Sequence, residues 1–154
     1  MNYIKESEEI LKNHRKLNTS LNNLYIRRNK IIKSGFPREL MGTSYDKPDV
    51  QHMDYSESTI NEICEVMEIN AQINETKEEM QLVDDILEQI KKEDEILEKF
   101  IKLKYITEYK KSMREIAKKL HYSENSNHTI YDIKKKALKE FAVLYFGVRG
   151  IKNT

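Results

Sequence analysis

Tryptophan is absent from the 154 residues, cysteine occurs once, and there are only two prolines and four glycines. The single thiol, Cys64, excludes an internal disulfide framework and fits a reducing compartment, so the cytoplasm is the expected location. It lies close to Ile60, Ile63 and Met67 in sequence, and a buried thiol is the expectation. Gly35, Pro37, Gly42 and Pro48 confine most of the helix-breaking residues to one stretch, which leaves long uninterrupted helices on either side. No apolar run approaches the roughly 18 residues needed to span a bilayer, and the opening MNYIKESEEI lacks the apolar core of a signal peptide. No membrane association is expected. Also missing are a phosphate-cradling glycine loop, HExxH or CxxC spacing, and a His–Cys pair with a third orienting group. The sequence therefore argues against an enzyme, and neither a cofactor nor a metal is expected. Asp46, Asp49, His52 and Asp54 have the right donor atoms but no ligand-motif spacing. Their neighbours Phe36, Met41, Tyr45, Met53 and Tyr55 are expected to pin this stretch onto the helices.

What is present is helical periodicity. Over residues 4–33, Ile10, Leu17, Leu24 and Ile31 stand seven apart, with His14, Leu21 and Arg28 in the intervening row. Over 57–91 the same habit returns, with Val66, Ile73, Met80 and Leu87 in one row and Ile69, Thr76, Val83 and Ile90 in the other. Two such helices joined by a loop at 34–56 make either a helical hairpin or an intermolecular coiled coil. In the second case the stripe at Val66, Ile69, Ile73, Met80, Val83 and Leu87 is the homodimer surface, and the sequence does not choose between the two. Polar His14, Arg28 and Thr76 in the rows weaken a dry two-stranded coil and favour packing with a third helix or with wetter ends. A further segment, Asp94 to Tyr105, sets Ile96, Leu97, Phe100 and Leu103 on a helix. The polar run from Lys91 to Glu95 marks the expected boundary between a unit at 1–92 and one at 93–154.

Charge is segregated along the chain. Residues 1–54 carry 10 basic and 7 acidic side chains, 55–98 carry 3 and 14, and 99–154 carry 14 and 5, for net charges of +3, −11 and +9. A carboxy-terminal third so basic is suited to displacing counterions from phosphates. Within it, Ile116, Ala117 and Leu120 form a short amphipathic helix that begins near Ser112. After a polar interruption, Ile130, Ile133, Ala137, Leu138, Phe141, Leu144 and Tyr145 form a longer one. Small Ala117 permits the close crossing of a helix-turn-helix. Asn127, His128, Thr129, Tyr131, Asp132 and Lys135 lie at the start of the second helix and off its apolar stripe, where such helices read base edges. Lys110, Lys111, Ser112, Arg114, Lys118, Lys119, Lys134, Lys136 and Lys139 are the candidates for phosphate contact. His121 and His128 flank the turn as solvated side chains. Either Ser123 caps the second helix or Ser126 does so after an extended loop, with Asn127 and Thr129 as further capping candidates.

The run LKY at 103–105, REIAKKL at 114–120 and IYDIKKKAL at 130–138 resembles region four of bacterial sigma factors. The ending from Ser126 through TIYDIKKKALKEFAVLYFG is similar to the ArpU/RinA-type phage late-gene transcriptional regulators. In this chain the turn is about three residues longer than in the sigma pattern, and Asp132 stands where those regulators often carry a basic residue. The resemblance implies an all-α protein, with a long helical hairpin or coiled-coil-like part followed by a sigma-region-four-like helix-turn-helix. It also implies activation of late genes from promoter-proximal double-stranded DNA, with contact to RNA polymerase. Two other readings stand beside it. One is a small terminase-like DNA-packaging subunit. The other is a helical adaptor or anti-repressor that acts only through protein contacts.

Overall fold

The computed structural model describes residues 2–34, 56–107, 109, 111–123 and 127–152, and every regular element among them is a helix. The first, α1 (Tyr3–Lys33), starts where Asn2 Oδ1 accepts from the Lys5 amide at 3.1 Å. The second, α2 (Glu57–Glu93), opens on Ser56, whose Oγ accepts from the Thr59 amide at 3.2 Å. Each cap satisfies an amide that a first helical turn leaves without a partner. Asp94 then breaks the helix with extended backbone, and its carboxylate accepts from the Ile96 amide at 3.0 Å to begin α3 (Glu95–Ile101). The helix expected up to Tyr105 changes character after Ile101. A π-helical segment follows at Lys102–Ile106, closed by the Thr107 amide reaching five residues back to the Lys102 carbonyl at 2.9 Å. Three helices complete the chain, α4 (Met113–Lys119), α5 (Asn127–Phe146) and α6 (Val148–Ile151). Gly147, at φ 62°, turns the backbone between α5 and α6, and a Cβ on Gly150 would collide with the Ala142 carbonyl. The short α6, which the sequence pattern does not announce, is thus pressed onto α5 at a contact that only glycine allows.

The chain divides into two compact units, Met1–Asn18 together with Glu79–Thr154, and Thr19–Glu78. The boundary expected at 92/93 falls inside the first of these. Leu11, Phe100, Ile101, Ile116, Ile130 and Phe141 are the fully buried centre of the first unit, joined by Val83, Ile86, Leu87 and Ile90 of α2. Each large side chain taken out of water there contributes about 1.5–3 kcal/mol. Leu11, not Ile10, occupies the core position on α1, and Ile10 packs at the edge. Adjacent helical residues lie about 100° apart, and the helices packed on α1 cover the Leu11 side. Burial on α1 therefore steps through Ser7, Leu11 and His14. The Ser7 hydroxyl donates to the Tyr3 carbonyl at 2.8 Å, so its burial leaves the hydroxyl satisfied. His14 Nε2 lies 3.2 Å from Asp84 Oδ1. Buried Glu98 pairs with Lys102 one turn further on. The Tyr145 hydroxyl donates to Glu79 Oε1 at 2.6 Å, and desolvation together with that carboxylate pushes its pKa up to about 12.

In the second unit, Ile31 and Ile32 late in α1 pack against Ile63 and Val66 early in α2. Ile69 and Ile73 continue the buried row. The polar seam residues find local partners, although Arg28 Nε is buried with no hydrogen-bond acceptor among the described residues. Arg28 Nη1 donates to Asn70 Oδ1 at 3.0 Å while its guanidinium lies 5.0 Å over the Tyr25 ring, and Thr76 Oγ1 donates to the Gln72 carbonyl at 2.7 Å. Cys64 corrects an expectation, for it is exposed. The buried row runs through Ile63 and Val66, and Cys64 falls outside it, as do the partly exposed Ile60 and Met67. Of the stripe expected to join two copies, Val66, Ile69, Ile73, Val83 and Leu87 are buried within the single chain and Met80 is half-buried. Among the described residues, no helix is long and apolar enough to cross a membrane. The metal-capable Asp46, Asp49, His52 and Asp54, and the aromatic and methionine anchors around them, lie outside the described residues.

Two measurements check this packing. Leu11→Ala removes a fully buried side chain from the first unit's centre and is expected to cost about 2–5 kcal/mol in urea denaturation. Burial holds the His14 pKa below its usual 6.5, against the opposing pull of Asp84 and then Glu79. The unfolded chain therefore takes up this proton more readily than the folded one. The stabilising contribution is complete above pH 6.5 and is lost as pH falls from there through the folded pKa. Urea midpoints at about pH 7.5 and 5.5 should show this decline in the wild type and a shallower one in His14→Gln.

Candidate nucleic-acid interface

The basic end of the chain is organised by α4 and α5, which pack directly on each other. Ser112 opens α4 with a reciprocal pair of bonds. Its Oγ accepts from the Glu115 amide at 3.2 Å, and Glu115 Oε2 accepts from the Ser112 amide at 3.3 Å. This capping box fixes the entry of the chain into α4. Ile116 and Ala117 face inward and are buried, while Arg114, Lys118 and Lys119 are exposed. The helix ends just as tightly. The Tyr122 amide donates to the Ala117 carbonyl at 2.9 Å and the His121 amide to the Lys118 carbonyl at 3.2 Å. His121 takes the left-handed conformation, φ 64°, that this termination requires and that glycine usually supplies. Its role is thus partly in the backbone, a function that its side-chain chemistry does not advertise.

On α5, Ile130, Ile133, Ala137, Leu138, Phe141 and Ala142 are buried, so one side of the helix is committed to the core. The other side carries the expected base-reading group. Asn127, His128, Thr129, Tyr131, Asp132 and Lys135 are all exposed within the first three turns, Tyr131 at 58%. Lys136 is exposed with them and Lys139 is half-buried. Lys110 and the capping candidate Ser126 lie outside the described residues.

Two of the expected phosphate contacts have additional partners. Lys134 Nζ is 3.0 Å from Glu8 Oε1 on α1, and the same oxygen accepts from the Tyr105 hydroxyl at 2.9 Å. Burial raises the Glu8 pKa, but hydrogen bonds from Lys134 and Tyr105 outweigh it and leave the carboxyl below its usual range. Tyr105 is driven the other way, first by desolvation and then by Glu8. Lys111 Nζ reaches Thr107 Oγ1 at 3.4 Å. Its pKa is lowered by desolvation first, then by the neighbouring charge of Lys119, with Arg15 adding to the effect. Spacing within the carboxy-terminal third does not reveal that α1 brings Lys12, Arg15 and Lys16 to this side of the unit. Their three- and four-residue spacing shows only that they share one face of α1.

The termination of α4 generates a stability test. Replacing His121 by Gly relieves the left-handed strain of a residue with a Cβ and should raise stability by about 0.5–1 kcal/mol. The same substitution at exposed Lys118, inside the helix, should lower stability by about 1 kcal/mol. Thermal denaturation of both variants separates the backbone role of His121 from any general effect of glycine. No family model, curated protein or solved structure matches this chain.

Proposed function

We propose that this protein is a cytoplasmic regulator of transcription that binds double-stranded DNA through α4, the turn after it and α5 acting as a helix-turn-helix. The observation that carries this reading is the division of α5. One side is buried through Ile130 and Ile133, and its opening turns expose six polar side chains together. A helix so held has its amino-terminal residues available to a major groove while its other side remains anchored. In this reading Asn127, His128, Thr129, Tyr131, Asp132 and Lys135 meet base edges. Arg114, Lys118, Lys119 and Lys136 sit on flanking phosphates, with Lys110, Lys111, Ser112, Lys134 and Lys139 around them. Asp132 accepts from a cytosine amino group or else opposes the backbone. The +9 charge of residues 99–154 supports the assignment. α1 and α2 form the hairpin that carries this module, and the acidic face of α2 stays off the DNA and turns to a basic protein surface. The resemblance to ArpU/RinA-type regulators extends the proposal to phage or prophage late genes, with RNA polymerase as that protein partner and activation as the outcome.

Fluorescence anisotropy against tiled duplexes from the DNA around the gene, at two salt concentrations, tests the reading. Tight binding to one tile that weakens steeply with salt supports it. No binding to any tile at either salt overturns it and leaves the protein-only adaptor. Given a bound tile, Lys118→Ala should weaken binding to specific and unrelated duplexes alike and reduce the salt slope by about one, whereas Lys135→Ala should weaken the bound tile more than unrelated duplexes. Equal binding by both variants would contradict this placement of the DNA face.

A further inference from the structure

Beside the α4–α5 surface, the first compact unit contains a cleft of about 580 Å³ whose wall is mostly cationic. Lys12, Arg15 and Lys16 come from α1, Lys104 from the π-helical segment, Lys111 from the approach to α4, and Lys134 from α5. Glu8 is the single carboxylate among the lining side chains, and it is engaged by Tyr105 and Lys134. Lys12 pairs with Glu8 and Glu9, and Lys134 with Glu8, yet positive groups still outnumber negative ones in a concave space, where low-dielectric walls strengthen the field.

Arg15 gives the cleft its most specific feature. Its Nη2 donates to the Lys104 carbonyl at 3.4 Å, while its Nε is buried with no hydrogen-bond acceptor among the described residues. Arg28 Nε is buried without an acceptor as well, outside the cleft lining, so what suits Arg15 to an anion is its remaining guanidinium donors, a planar fork matched to a tetrahedral oxyanion. Ser112, whose Oγ lone pair is taken by the Glu115 amide, retains its hydroxyl proton to donate.

We propose that this cleft is a binding site for a phosphate-bearing anion, gripped by Arg15, Lys16 and Lys111. Its volume lies within the range of small-ligand sites and exceeds what one phosphate fills, so a chain of phosphates or a nucleotide-sized group fits it. The site is distinct from the base-reading face and does not depend on the protein binding DNA. The phosphate is contributed either by a duplex backbone that passes over the cleft or by a free oligophosphate.

Calorimetric titration of the full chain with inorganic tripolyphosphate at low salt tests the site. The expected result is saturable one-to-one binding, weakened about tenfold or more in Arg15→Gln, Lys16→Ala and Lys111→Ala, each losing a charge-assisted contact. Lys99→Ala, whose ammonium pairs with Glu95 outside the cleft, should bind as the wild type does. The exposed Lys16 variant keeps the test decisive if Arg15→Gln fails to fold. Non-saturating uptake, or equal affinity in Lys16→Ala, Lys111→Ala and wild type, overturns the proposal. A second titration, on protein saturated with its best duplex, assigns the source. Loss of tripolyphosphate binding places a backbone phosphate in the cleft, and retained binding identifies a free ligand; both uphold the site. Duplex binding without tripolyphosphate binding would overturn the cleft alone, and the reverse result would overturn only the DNA reading.

Discussion

Glu8 accepts from the Tyr105 hydroxyl and pairs with Lys134, so one carboxylate near the start of α1 holds the π-helical segment and α5 together. The three residues are nearly 100 or more positions apart from first to last, and ordering them is costly in chain entropy. The arrangement persists because each group answers the need of another. Tyr105 is buried and needs an acceptor for its hydroxyl, Lys134 is half-buried and needs a negative neighbour, and Glu8 is stabilised as a carboxylate by both. Removing one partner would leave the others desolvated, which is worse than never having buried them. The hydrophobic centre of Leu11, Phe100 and Phe141 supplies most of the stabilisation. The Glu8 cluster specifies how α5 is presented above it.

The rows of apolar residues on α2 were legible because burial and heptad spacing coincide there: Val66, Ile69, Ile73, Val83, Leu87 and Ile90 are all buried. The start of α4 at Ser112 was equally open to reading, since a short polar side chain before an apolar run has a mechanical role. On α1 the same logic chose Ile10 where the structure buries Leu11, because the two are adjacent and only the partner helices determine which faces inward. Cys64 misled for a related reason: it has apolar neighbours in sequence but lies off the buried row. The left-handed His121 and the widened turn at Lys102–Ile106 leave no mark in a hydrophobic pattern. They follow from how the chain must be routed between elements, which is a tertiary demand.

The candidate site shows a similar division. Which face of α5 is exposed followed from the apolar spacing of Ile130, Ile133 and Ala137, so the outward placement of Asn127, Tyr131 and Lys135 was legible. What was not legible is that the amino-terminal lysines and Arg15 share a compact unit with that helix. Net charge summed by segment assigned +3 to the first third and +9 to the last, yet folding combines parts of both. Charge counted along a chain measures a surface only when sequence neighbours are also spatial neighbours.

The first compact unit is discontinuous, built from residues 1–18 and 79–154. During synthesis, the ribosome delivers Leu11 long before Phe141, the residue with which it shares a core. At about 5–20 residues per second, the wait is on the order of ten seconds. Over that interval the exposed stripe of α1 has only α2 to cover it, as α2 emerges. The unit therefore cannot complete its core until α5 has left the ribosome, so its folding is bound to the end of synthesis rather than to its beginning.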